Sequence, residues 1–153
     1  MGKEVARFNK ILHVRAVERE LTQNELAGRL QEEGAILERI NALEEDRDSA
    51  LADFCAGRGE PVSPQQMWLE RQNIDVMESG LCDGRHALEE CRFKIEETRA
   101  ELVEKHQNVQ LMERFVDRLK ERAHKEMIDL EQKNLDDITS MRYRLNMQKE
   151  AKP

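Results

Sequence analysis

Gly57-Arg58-Gly59-Glu60-Pro61-Val62-Ser63-Pro64 is the stretch on which the fold turns. It carries two glycines and two prolines in eight residues, and Gly and Pro are the strongest local breakers of a helix. Gly57 follows an amphipathic run and suits the C′ position, where positive φ comes without a Cβ clash. The restart is as explicit as the stop. Ser63 is placed to be an N-cap, with Pro64 at N1 and Gln66 at N3 to close a capping box. Val62 at N′ and Met67 at N4 complete a hydrophobic staple. The third proline is Pro153, so no proline interrupts the chain from Gln65 to Lys152.

Downstream of the break, every seventh residue is apolar: Met67, Ile74, Leu81, Leu88, Ile95, Leu102, Val109, Val116, Ala123 and Leu130. Ten consecutive apolar positions are rarely produced by chance in a chain that is 39% apolar. Three residues further on lies a mixed row of Met77, Gly84, Cys91, Thr98, Lys105, Met112, Leu119 and Glu126. One strong and one mixed row make a coiled-coil seam. Glu90/Lys94, Glu101/Lys105 and Glu121/Lys125 add i,i+4 pairs, each worth about 0.2–0.5 kcal/mol.

Upstream, the pattern is looser. Val5, Phe8 and Leu12 start a stripe, with Val14, Val17 and Leu21 beside it. Leu26, Leu30, Leu37, Ile40, Leu51 and Phe54 continue it, with gaps at Glu44 and Arg47. A helix with such a stripe needs a partner, and the short connection favours antiparallel pairing with the next helix. The sequence therefore predicts an all-α fold of two long helices forming an antiparallel coiled-coil hairpin over residues 1–153. Helix one covers about 4–56, the turn 57–63 and helix two about 64–148, so the second helix is longer and overhangs. Gly80 and Gly84, one helical turn apart, read as a soft, kinkable turn, the alternative being close approach by a partner backbone.

Composition agrees and excludes other classes. Ala, Glu, Lys, Leu and Arg supply 76 of the 153 residues, the bias of long helices. At 4% aromatic residues, a sandwich, barrel or α/β domain of this length is not expected. No apolar run approaches the roughly 20 residues of a membrane span, and the formal net charge of −7 argues against nucleic-acid binding. Cys55, Cys82 and Cys91 show no CxxC spacing and read as reduced thiols. His13, His86, His106 and His124 form no metal-binding pair, and the glycines form no phosphate loop. No catalytic, cofactor or metal site is expected. The N-terminal Met1-Gly2-Lys3-Glu4-Val5-Ala6 has no apolar signal region and fails a myristoylation pattern at Ala6, so a cytoplasmic protein is expected.

Two irregularities point toward function. Residues 1–20 carry five basic and three acidic side chains and residues 138–153 four and one, whereas 21–137 carry 16 and 28. An antiparallel hairpin turns this into an acidic rod with a basic end, steered toward an acidic partner surface. The heptad row also fails after Leu130: Asp137 comes next, and apolar residues resume at Leu135, Ile138 and Leu145. The apolar face thus turns away from the seam.

These features come together with two local motifs: Phe8-Asn9-Lys10-Ile11-Leu12-His13-Val14-Arg15 and Glu131-Gln132-Lys133-Asn134-Leu135-Asp136-Asp137 followed by Arg142-Tyr143. With two arms joined near residue 60, the chain resembles the flagellar export protein family FliJ. Ile74-Asp75-Val76-Met77-Glu78-Ser79-Gly80-Leu81 resembles the apolar start of that family's second helix, with departures at Asn73, where an aromatic is common, and Gly80, where alanine is common. The C-terminal motif is the more specific part, with Asp137 in place of the usual Glu. The resemblance implies a non-enzymatic, monomeric stalk and escort component of the flagellar type III export apparatus. It would be cytoplasmic and peripheral at the inner-membrane basal body. Its implied partners are the export ATPase hexamer, the cytoplasmic domain of the export gate and export chaperones. By the same analogy Phe8, Leu12, Arg15, Gln132, Lys133, Asp136 and Arg142 would meet the ATPase ring, and Met77 and Leu81 the gate. The equivalent stalk of a virulence-type secretion system and a coiled-coil tether or scaffold are the alternative readings.

Overall fold

The computed structural model describes residues 2–56, 59 and 61–150, the side chains of 148–150 excepted. The expected C′ role of Gly57 lies outside the described residues. The fold is all-α: α1 spans Gly2–Ala56 and α2 spans Pro64–Glu150. The two helices pack against one another antiparallel, and α2 is the longer, at 87 residues against 55. No helix among the described residues is long and apolar enough to cross a membrane.

Local chemistry sets the start of α2. The Ser63 carbonyl accepts from the Gln66 and Met67 amides at 3.0 and 3.1 Å. The Ser63 hydroxyl also accepts from the Gln66 amide, at 3.3 Å, so Ser63 satisfies N–H groups that a helix start leaves orphaned. Val62 and Met67, the staple pair, both remain exposed.

The chain divides into two compact units, Arg19–Glu104 and Met1–Glu18 with Lys105–Pro153. In the first, antiparallel register is set by Ile40 beside Gly84, Leu43 beside Gly80, and Glu33 bonded to Arg92. Ile74, Leu81, Cys91 and Ile95 of α2 are buried there, with Ile40 the buried aliphatic of α1. Each such aliphatic contributes about 1.5–3 kcal/mol by leaving water. Thr98, the polar member of the mixed row, is buried but donates its hydroxyl to the Lys94 carbonyl at 2.8 Å. Its polar atom is satisfied within its own helix turn. In the second unit Val109 and Val116 are buried, and Phe8 meets Phe115 edge-to-face at 4.9 Å and 75°. That geometry is the favoured one for two aromatic quadrupoles.

α2 runs helical through Gly80 and Gly84, and what comes close to Gly84 is a side chain rather than a partner backbone. The approaching group is this chain's own α1. A Cβ on Gly84 would lie 3.1 Å from Ile40 Cγ1, whereas one on Gly80 would meet only Leu43 Cδ1, at 3.7 Å. Gly84 is therefore the point where a side chain of α1 is let in close to the α2 backbone.

α1 also proves more regular than its apolar stripe suggests. Val5, Leu12, Arg19, Leu26, Glu33, Ile40, Arg47 and Phe54 recur every seven residues, and none of them is exposed. Arg47 and Glu44, read as gaps, are half-buried. Long charged side chains lay their stems along the seam and carry their heads to water. Arg47 bonds Asp48 at 2.7 Å, Glu44 bonds Arg85 at 2.9 Å across the helices, and Glu33 bonds Arg92 at 2.7 Å. Arg29 reaches Glu25 at 2.7 Å, and that hydrogen bond raises its pKa. Its Nε is left buried without a partner.

Candidate functional site

The end of the seam decides what α2 can offer a partner. Counting outward from the Phe8–Phe115 contact, Gly2 comes level with Glu121. Beyond that point α2 has no α1 to pack on. Ala123 is half-buried, and every side chain from His124 to Met147 is exposed. Leu130, the last member of the apolar row, is 60% exposed for this reason. The row outlasts its partner by one heptad.

The overhang holds most of the residues expected at an ATPase ring. Gln132, Lys133, Asp136 and Arg142 are all exposed on it. At 100° per residue, Gln132, Asp136 and Tyr143 share one face, with Lys133 at its edge. That face presents an amide, a carboxylate and a phenol together. The N-terminal set is placed differently. Phe8 and Leu12 are half-buried in the seam, while Arg15 is exposed beside Lys10, Val14 and Glu18 around a shallow hollow. Gln132 lies 17 residues past Phe115, about 25 Å further along α2 than the level of Phe8. The structure thus does not join the N-terminal residues and the C-terminal motif into one site. It puts Phe8 and Leu12 chiefly to work holding the start of α1 on α2.

The two residues expected at the gate also separate. Met77 is half-buried at the surface, but Leu81 is 2% exposed inside the seam. Leu81 cannot serve as a surface contact while α1 and α2 are paired, because its side chain already fills the space between them. From about one helical turn past Met77 along α2, an open notch of about 260 Å3 lies between the helices, lined by Ile36, Ile40, Leu43, Gly80, Gly84 and Ala87 among others.

Charge is divided between the two units. Arg19–Glu104 contains 10 basic and 21 acidic residues, and the other unit contains 15 basic and 11 acidic. The basic excess noted at the chain ends therefore belongs to the unit that carries the overhang. Among the described residues no group of His, Cys, Asp and Glu is placed to hold a metal ion. All three cysteines are free, Cys91 being buried with its thiol 3.7 Å from the Arg29 carbonyl. Sequence reasoning picked out Leu135, Ile138 and Leu145 in the overhang but missed Met127 and Met141, exposed on the same side. The available signal was the i,i+3 and i,i+4 spacing of Met141 to Ile138 and Leu145, and the spacing of Met127 to Ile138, eleven residues or about three helical turns.

No curated protein and no solved structure matches the chain. The family model of the flagellar FliJ protein matches residues 4–148. That span takes in the break, both helices and nearly all of the overhang, and the chain belongs to the FliJ family, a family of flagellar export components.

Proposed function

We propose that this chain is the stalk and escort component of the flagellar type III export apparatus, a non-enzymatic, cytoplasmic protein peripheral at the basal body. The observation that carries the reading is the overhang: a helix released from its intramolecular partner after Ala123, with Gln132, Lys133, Asp136 and Arg142 open to solvent. A stiff helix protruding from a paired base suits insertion into the export ATPase ring. The basic excess of the same unit suits steering toward an acidic surface. Phe8, Leu12 and Arg15 support that end from α1, with Arg15 the one free to touch the ring. Met77, beside the Gly80–Gly84 notch, is the proposed contact for the cytoplasmic domain of the export gate. Chaperone cycling follows from holding both partners in turn.

The test is a pull-down with the export ATPase and, separately, the gate's cytoplasmic domain. Lys133→Glu is expected to lose the ATPase and keep the gate, and Met77→Asp the reverse, with circular dichroism confirming both folds. Truncation after Leu130 is expected to leave the helical pair but abolish ATPase stimulation. Unchanged stimulation by the truncated chain would sink the assignment.

A further inference from the structure

The unit of Met1–Glu18 with Lys105–Pro153 carries two rows of cations on its paired part. On α2, Arg114, Arg118 and Arg122 are exposed at four-residue steps. At 100° per residue they stay within about 80° of arc, roughly opposite the buried Val109 and Val116. On α1, Lys3, Arg7 and Lys10 are exposed within about 60° of arc, on the side away from Phe8 and Leu12. The Phe8–Phe115 contact sets residues 3–10 level with about 113–120. The two rows therefore stand at one height on opposite sides of the rod.

The stability of the helix pair does not explain them. Among the described residues none of the six makes an ion pair. Arg29, Arg71 and Arg99, by contrast, are each paired with an acid three or four residues away. Like charges four residues apart, as in Lys3/Arg7, Arg114/Arg118 and Arg118/Arg122, destabilise a helix. Neighbouring acids do not cancel the rows. Glu113 and Asp117 lie about 140° and 100° round the helix from Arg118, and Asp117 bonds Lys120 at 3.8 Å. Glu4 and Glu121 border the rows, one acid to each three cations.

A guanidinium makes planar paired bonds to carboxylate or phosphate, so the partner of these rows is anionic. Their placement selects its shape. A lipid surface is flat and meets one side of a rod, which leaves the opposite row unused. A partner that surrounds the rod meets both.

We propose that the six cations form a collar gripped by a protein that encircles the rod and presents carboxylates from opposite walls. Resting on the stalk reading above, that protein is the export ATPase ring, and the collar is a contact separate from the Gln132–Arg142 motif. The collar also favours one depth of insertion. Residues 126–137 carry five acidic side chains against Lys133 alone. Acidic walls therefore attract the rod at the collar and repel about the next three turns of α2.

Binding of the dye-labelled full chain to the purified export ATPase hexamer, read by fluorescence anisotropy at low and high salt, tests the collar. Two triple exchanges remove it one side at a time: Arg114→Gln with Arg118→Gln and Arg122→Gln, and Lys3→Gln with Arg7→Gln and Lys10→Gln. All six sites are exposed, so circular dichroism is expected to be unchanged. Each triple exchange is expected to weaken binding about tenfold or more at low salt, a difference that shrinks at high salt. Removing the same charge elsewhere, by Arg71→Gln with Lys94→Gln and Arg99→Gln, is expected to leave the affinity within about twofold. A wild-type chain that fails to bind the ATPase overturns the stalk reading and the collar together. A wild-type chain that binds, with both triple exchanges equally tight, overturns the collar alone. Weakening by one triple exchange only overturns the encircling partner. Binding of wild type to phosphatidylglycerol vesicles that the α2 exchange abolishes overturns it as well, and assigns that row to lipid.

Discussion

Replacing Gly80 and Gly84 separately by alanine isolates the role of close helix approach. Both lie within α2, and alanine is favoured over glycine in a helix interior by about 1 kcal/mol. At Gly80 the new Cβ comes no closer than 3.7 Å to Leu43 Cδ1, an ordinary van der Waals contact. Gly80→Ala should therefore realise the full gain. At Gly84 the new Cβ would sit 3.1 Å from Ile40 Cγ1. That atom is bonded to the branched Cβ of a side chain only 7% exposed, and a β-branched residue in a helix has essentially one χ1 rotamer. Ile40 Cδ1 can turn aside into the neighbouring notch, but Cγ1 moves only with the helix itself. The overpacking cost, about 1–3 kcal/mol, cancels or exceeds the gain. Thermal unfolding followed by far-UV circular dichroism should show Gly80→Ala raising the midpoint by about 2–4 °C, with Gly84→Ala unchanged or lower. Equal stabilisation by both would refute the claim that Gly84 is required by packing.

Four further outcomes follow from the same geometry. Val116→Asp, at a position 1% exposed, should cost about 3 kcal/mol or more by leaving a buried charge unpaired. Leu135→Asp, on the overhang, should stay within about 0.5 kcal/mol of wild type; denaturant titration compares the two. Arg92→Ala removes the 2.7 Å bond to Glu33 between partly exposed groups, so it should cost about 0.5 kcal/mol at low salt and nothing measurable at high salt. A chain ending at Ala123 loses 27 of 142 helical residues. It should keep the unfolding midpoint while its helical ellipticity falls by about a fifth, whereas a lowered midpoint would mean that the overhang supports the seam.

What could be read along the chain was whatever depends on neighbours within a turn or two. Ser63 caps α2 because its own side chain and carbonyl reach the amides three and four residues on. The row from Ile74 to Val116 is legible because a coiled-coil seam repeats every seven residues whatever its partner is. The seam of α1 escaped the same reading because Arg19, Glu33 and Arg47 occupy it. A pattern of apolar letters does not register side chains whose stems are buried and whose heads are wet. The candidate site divides in the same manner. Gln132, Lys133, Asp136 and Arg142 were identified by their motif and are exposed, but Leu81, identified alongside Met77, is inside the seam.

By itself, then, the sequence determined two long helices, the break between them, the cap of the second and the face that α2 buries. These follow from local hydrogen bonding and from periodicity. The tertiary structure alone decided that Gly84 admits Ile40, that charged residues complete the α1 seam, and that burial on α2 stops at Ala123 although the apolar row continues to Leu130. Each of these depends on which residue stands opposite. That is a matter of register between segments far apart in the chain, and it places the free end of α2 where the first helix runs out.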